Sequence, residues 1–289
     1  MAQKLWAVRF KAALKVAEGY ALALEDMAVA VSWLDADDDG IADVEAIFDI
    51  EPARPVVTAA LKGAGPLPRF TLKAIPVKNW LAASYRAFPP RRIGQFWVHG
   101  GHVTKAPPKG VWPLEIDAAT AFGSGEHPTT AGCLRAIGEL AKTVSPAKVL
   151  DMGCGSGILG VAAVKAWGVP VLAVDNDPES VRVTKAHAKV NGVTRKLKAV
   201  VGDGYKTPEV KAGGPYPVVL ANILAEPLIK MAPAAAKATA TGGYIVLAGL
   251  LTKQAAAVSK AYRAVGFKLV AKEVEGDWPT LVMQKAAAR

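Results

Sequence analysis

Only two cysteines, Cys133 and Cys154, occur in 289 residues. Two thiols cannot build a disulfide framework or, unaided, a tetrahedral zinc site, so neither staples nor a structural metal is expected. Long hydrophobic runs are also missing. Every apolar stretch is broken by Gly, Pro or charge well short of the ~20 residues that a membrane span needs. The first ten residues alternate in type, run into Lys11 and lack both a continuous apolar core and a small-residue cleavage site, so no secretory signal is expected. Dense basic runs are absent although the net charge is +10. The dispersed lysines fit a solvated surface, while the overall sign suits a transient contact with a polyanion such as RNA or a ribosome. The expectation is a cytoplasmic, monomeric protein with no membrane partner.

A hydrophobic content of 52% and a charged content of 21% describe an ordinary globular chain rather than a disordered one. Its length exceeds what one core comfortably serves, which predicts two domains. Residues 1–75 read as short alternating elements. Strands are expected over 4–10, 28–34, 44–50 and 70–75, with helices over 12–24 and from Pro52 through Leu61. That order, β-α-β-β-α-β, predicts a small α+β module of ferredoxin-like type. Within it, Asp35, Asp37 and Asp39 alternate ahead of Gly40 like a calcium loop. The twelfth position, however, holds Ala46 where an EF-hand needs a bidentate Glu. Asp-Gly also makes a good hairpin turn, so an acidic hairpin tip is the expectation, one that suits a basic substrate. Residues 77–88 have helical spacing and stop at Pro89-Pro90, giving a linker helix over 76–93. The second domain, 94–289, opens with a turn-rich bend at 105–110. From Val144 onward strands alternate with helices, which predicts a Rossmann-like parallel sheet. Its strands fall at 148–152, 171–174, 197–201, 218–221 and 244–248. The end, 267–274 and 280–284 around Gly276-Asp277, reads as a hairpin that adds an antiparallel strand.

The chemistry concentrates at the ends of those strands. The first closes in Asp151-Met-Gly-Cys-Gly-Ser-Gly157, where Gly153 and Gly155 let the backbone turn sharply and approach a ligand. Asp175, ending the second strand, is placed to accept hydrogen bonds from both hydroxyls of a ribose. Asp203, after the third, is expected at an adenine rim. Gly155-x-Gly157-x-x-Gly160 with Asp175 also matches the dinucleotide fingerprint. Against that reading, Asp151 stands just before the turn. A pyrophosphate is repelled by a nearby carboxylate, whereas the sulfonium and ammonium of S-adenosyl-L-methionine are not. S-adenosyl-L-methionine is therefore the expected cofactor, with no metal. Upstream, Ala121-Phe-Gly-Ser-Gly-Glu-His-Pro-Thr-Thr130 is a glycine loop running into a helix. Thr129 or Thr130 is the expected N-cap, and Phe122 is expected to pack on the ligand as the loop closes. His127 reads as structural rather than as a base. The fourth strand ends in Ala221-Asn-Ile-Leu-Ala225. Asn222 suits an amine acceptor, because its neutral carbonyl accepts an amine N–H and aims the lone pair at the methyl group. The absence of two prolines after Asn222 disfavours methylation of a nucleic-acid base, so an RNA methyltransferase is the alternative.

These pieces together resemble the PrmA family of bacterial methyltransferases acting on ribosomal protein L11. They are residues 121–130, 151–159, Asp175-Asn-Asp-Pro178 and 221–225, with Trp80 through Phe88, Ile93-Gly94 and Trp97 resembling the family's linker. The resemblance implies a class I methyltransferase fold and cofactor contacts at Thr130, Gly153, Asp175 and Asn222. It also implies methylation of lysine or N-terminal amino groups, and an N-terminal module that recognises L11.

Overall fold

A computed structural model describes residues 4–25, 27–34, 40–76, 89–116 and 127–287. The chain divides into two compact units, Met1–Ala87 and Phe88–Arg289. The first contains β1 (Lys4–Ala13), α1 (Leu14–Glu25), β2 (Ala30–Leu34), β3 (Ile41–Phe48), α2 (Arg54–Ala64) and β4 (Thr71–Pro76). All pairings are antiparallel, in the order β2-β3-β1-β4, which is the ferredoxin-like arrangement. Along β3, Ala42, Val44, Ala46 and Phe48 point inward at a spacing of two. Ala17, Tyr20 and Leu24 of α1 meet them from helical spacing, joined by Val57 and Leu61 of α2. Phe10 and Tyr20 pack edge to face at 5.6 Å, and the Tyr20 hydroxyl donates to the Pro66 carbonyl. β1 and β3 overrun their expected limits because Ala12 and Ala13 keep pairing with Ala42 and Ile41. The expected acidic tip at 35–39 and the expected helix at 77–88 lie outside the described residues.

The second unit begins with a small sheet missing from the sequence expectation: β5 (Arg91–Ile93), β6 (Phe96–His99) and β7 (Trp112–Glu115), in that order. Arg91–Ile93, assigned above to the linker helix, is thus a strand paired with β6. Then follow α3 (Pro128–Leu140), β8 (Val149–Met152), α4 (Ile158–Trp167), β9 (Val171–Asp175), α5 (Pro178–Val190), β10 (Leu197–Val201), α6 (Pro208–Gly213), β11 (Tyr216–Asn222), α7 (Ala225–Ala238), β12 (Thr239–Ala248), α8 (Ala255–Ala264), β13 (Phe267–Glu275) and β14 (Trp278–Lys285). The large sheet runs β10-β9-β8-β11-β12-β14-β13. Only β14 opposes the rest, and it sits between β12 and β13 rather than at the edge. Alternate strand residues face opposite layers. Val149, Val171, Ala199 and Leu220 pack under α3, α4 and α5, whereas Leu150, Val174, Val219 and Leu247 pack under α7 and α8. Among the described residues no helix is long and apolar enough to cross a membrane.

α3 lies hard against β14. A Cβ added at Gly132 meets Thr280 Oγ1 at 2.1 Å. Gly132→Ala should therefore destabilise the fold by about 1–3 kcal/mol despite its better helix propensity. In a Thr280→Ala background, which removes the Oγ1 clash but keeps the Cβ at 3.0 Å, the same change should cost much less. A denaturant double-mutant cycle measures this, and additive effects would refute the close contact.

Candidate functional site

The sheet order reverses between β8 and β11, which opens a crevice at the carboxyl ends of those strands. Met152 pairs with Val174 on one side and with Ala221 on the other. The next residues, Gly153, Asp175 and Asn222, therefore share one row across three strands.

The turn after β8 is held by its neighbours. Gly153 and Cys154 N–H donate to the Val174 carbonyl at 2.8 and 3.1 Å. Gly155 N–H donates to Asp175 Oδ2 at 2.9 Å, and Asp177 N–H to Oδ1 at 3.1 Å. From α5, Thr184 Oγ1 donates to the Gly155 carbonyl at 3.0 Å and His187 Nδ1 to the Ser156 carbonyl at 2.7 Å. Asn191 Nδ2 donates to the Glu115 carbonyl of β7, and Asn191 Oδ1 accepts Glu115 N–H. Asp177 caps α5 through the N–H groups of Glu179 and Ser180. Those bonds hold its carboxylate below the ordinary value. Gly153 has φ +70°, and a Cβ there would meet Ile223 Cγ2 at 2.3 Å. Glycine at this position keeps the turn close to the segment carrying Asn222.

Asp151 is buried, with Oδ2 accepting Gly160 N–H of α4 at 2.8 Å. Burial pushes its carboxyl up to about 7, the Gly160 bond pulls it back, and the Asp175 charge adds to the rise. Burial likewise raises both thiols, Cys133 and Cys154, so neither is a ready nucleophile. Asn222 Nδ2 donates to Thr130 Oγ1 at 3.3 Å, while Asn222 Oδ1 is buried with no hydrogen-bond partner among the described residues. Thr130 is itself fully buried in the first turn of α3. The N-cap of that helix is His127, correcting the expectation of Thr129 or Thr130. His127 Nδ1 accepts Thr129 N–H, and its ring packs edge-on against Trp278 at 4.4 Å. The Asp203 side chain is 79% exposed and paired with Lys206 at 2.8 Å, so it stands apart from the half-buried row of Gly153, Asp175 and Asn222. Phe122 and the glycine loop lie outside the described residues. Thr184, His187 and Asn191 were not legible as site residues, since in sequence they read as ordinary positions on a helix. Among the described residues no cluster is placed to hold a metal ion.

A seven-stranded sheet of this order, with a glycine turn after β8 where the strand order reverses, defines a class I, Rossmann-like methyltransferase fold. The comparison with known proteins narrows the class. The family model "Ribosomal protein L11 methyltransferase (PrmA)" matches residues 9–286, and the chain belongs to that family. It is 41% identical over 215 residues to the ribosomal protein L11 methyltransferase of Rhodopseudomonas palustris (strain BisB5), covering 74% of this chain and 73% of the relative. The Mesorhizobium japonicum protein of the same name is 34% identical over 281 residues, covering 96% and 95%. A crystal structure of ribosomal protein L11 methylase from Lactobacillus delbrueckii subsp. bulgaricus superimposes with a TM-score of 0.61 at 25% identity, over 68% of this chain and 98% of that one.

The Asp151 carboxyl predicts a pH signature. Its ordinary value is 3.8 and its folded value about 7, so the folded state holds the proton more tightly. The resulting stabilisation is complete below the ordinary value and is lost as pH rises through the folded one. Asp151→Asn keeps an acceptor for Gly160 N–H and removes the titration. Across that window the wild type should lose melting temperature relative to Asp151→Asn; parallel melting curves would refute the shift.

Proposed function

We propose that the chain transfers methyl groups from S-adenosyl-L-methionine to lysine or N-terminal amino groups of ribosomal protein L11 in the cytoplasm, the N-terminal unit recognising that substrate. The observation that carries this reading is Asn222 Oδ1, a buried acceptor at the carboxyl end of β11 with no partner among the described residues. Such an atom is costly to leave unsatisfied, and an incoming amine N–H completes it. The row of Gly153, Asp175 and Asn222 fits the donor as well. Gly153 leaves room for close backbone approach, and Asp175 keeps acceptor capacity for ribose hydroxyls beyond its two N–H bonds.

When bound, S-adenosyl-L-methionine supplies a methyl group made electrophilic by its sulfonium. The work of this chain is alignment. Asn222 orients the amine, Thr130 fixes the Asn222 amide by accepting from Nδ2, and exposed Leu224 offers apolar contact to a lysine stem. Proximity and orientation supply much of the rate. The acceptor must be neutral. Deprotonating a lysine at pH 7 costs about 4.6 kcal/mol, an α-amine near pKa ~8 only about 1.4 kcal/mol. Desolvation in a closed site lowers the lysine cost, so no dedicated base is required. His127, occupied as a helix cap, is not needed for one. The absence of a Pro-Pro pair after Asn222 and the family membership weigh against RNA as the acceptor.

Asn222→Ala should lower kcat by about 100-fold while leaving donor affinity within a few-fold. Transfer of tritiated methyl to purified L11 and to stripped rRNA, with calorimetry of donor binding, measures both. Label on rRNA, or a change confined to donor affinity, would overturn the reading.

A further inference from the structure

At the amino ends of the central strands, the second unit carries a concave groove of about 940 Å³. Lys148 precedes β8, Lys196 precedes β10, and Tyr216 begins β11, so the groove opens at the end of the sheet opposite Gly153, Asp175 and Asn222. Along β10 the lining reaches Val200, the partner of Val174, while Lys148, Arg195 and Lys196 lie at the amino end. The floor is apolar, and five cations line it: Lys148, Lys185, Arg195, Lys196 and Lys198. Glu209 is the one carboxylate among the lining residues, 3.8 Å from Lys198. Lys148 is tied to the Gly213 carbonyl and the Tyr216 ring, and Lys196 to the Gly168 carbonyl. Among the described residues, Lys185 and Arg195 have no hydrogen-bond or ion-pair partner.

Edge-strand lysines often serve only to block strand addition, and Lys198 on β10 fits that role. It does not account for Lys185 on α5 or for Arg195 and Lys196 in the turn before β10. Such a concentration of one sign repels a basic partner and attracts a polyanion.

We propose that this groove holds the phosphate backbone of an RNA strand. Tyr216, the only aromatic among the described residues that line it, is buried, so they offer bases no exposed platform on which to stack. Recognition therefore falls to phosphates and is independent of base sequence. The choice of RNA among polyanions rests on the proposed function, whose acceptor is a ribosomal protein; the charge of the groove does not.

The test is fluorescence anisotropy of the full chain with a labelled mixed-sequence RNA over a salt series, without methyl donor. The variant Lys185→Ala/Arg195→Ala/Lys198→Ala is compared with the charge-matched control Lys237→Ala/Lys253→Ala/Lys260→Ala. At about 50 mM salt the groove variant should lose affinity by about 100-fold, and its log–log salt slope should become shallower by about 2, because three phosphate contacts are gone. The control should stay close to wild type, and methyl transfer to free L11 should be unchanged in both. If the groove variant fails to fold, Arg195→Glu against Lys253→Glu makes the same comparison. Equal losses in groove and control variants, no RNA binding by the wild type, or binding of phosphatidylserine vesicles in place of RNA would each overturn the proposal. Loss of methyl transfer with RNA binding intact would instead count against the proposed function.

Discussion

The second unit depends on satisfying the backbone of a turn that has almost no side chains of its own. Between Met152 and Ile158 the chain reverses from strand to helix through three glycines, leaving buried N–H and C=O groups to find partners elsewhere. An unsatisfied buried group costs ~1–3 kcal/mol, against a whole-domain stability of only ~5–15 kcal/mol. Here the donors go to the Val174 carbonyl and the Asp175 carboxylate, and the carbonyls are taken by Thr184 and His187. The site is thus welded to β9 and α5, and α5 is in turn clamped to β7 through Asn191. Stability and preorganisation come from the same bonds.

This explains why the two carboxylates near the turn behave differently. Asp175 is part-exposed and accepts two backbone N–H groups while keeping lone pairs toward the crevice. Asp151 is shut beneath α4 with one N–H, and its charge is disfavoured by burial and by Asp175. Arrival of a ligand carrying positive charge removes part of that penalty, since an opposite charge favours the ionised form. A neutral or anionic occupant brings no such relief. A buried carboxylate that is poorly neutralised by the protein is thus the physical ground on which the proposed function rests its cationic donor.

What could be read from the sequence follows from the range of the interactions involved. The strands of the large sheet, the glycine turn and Asp175 were legible because hydrophobic runs and glycine spacing are local signals. The small sheet was not, since strands of three and four residues carry too little pattern. α7 was hidden by Pro227 and Pro233, which the helix nevertheless accommodates. Thr184, His187 and Asn191 escaped because their partners lie about thirty or more positions away in sequence and only the fold brings them together. His127 was misjudged as a neighbour of the cap rather than the cap itself. Threonine is the better intrinsic capper, but the contact with Trp278 of β14 fixes the imidazole where it accepts Thr129 N–H.

Asn222 shows how local and distant constraints meet in one atom. Residues 218–222 form a register fixed by β8 and β12, so the amide arrives at the crevice without any choice of loop conformation. Thr130, on a helix packed against β14, then accepts the amide N–H. With the nitrogen engaged, the carbonyl oxygen is the atom to which the proposed function gives the incoming amine. A carboxylate here would favour an ammonium, which has no lone pair to offer. On the proposed function, a neutral acceptor held by the strand suits the amine better than the ammonium.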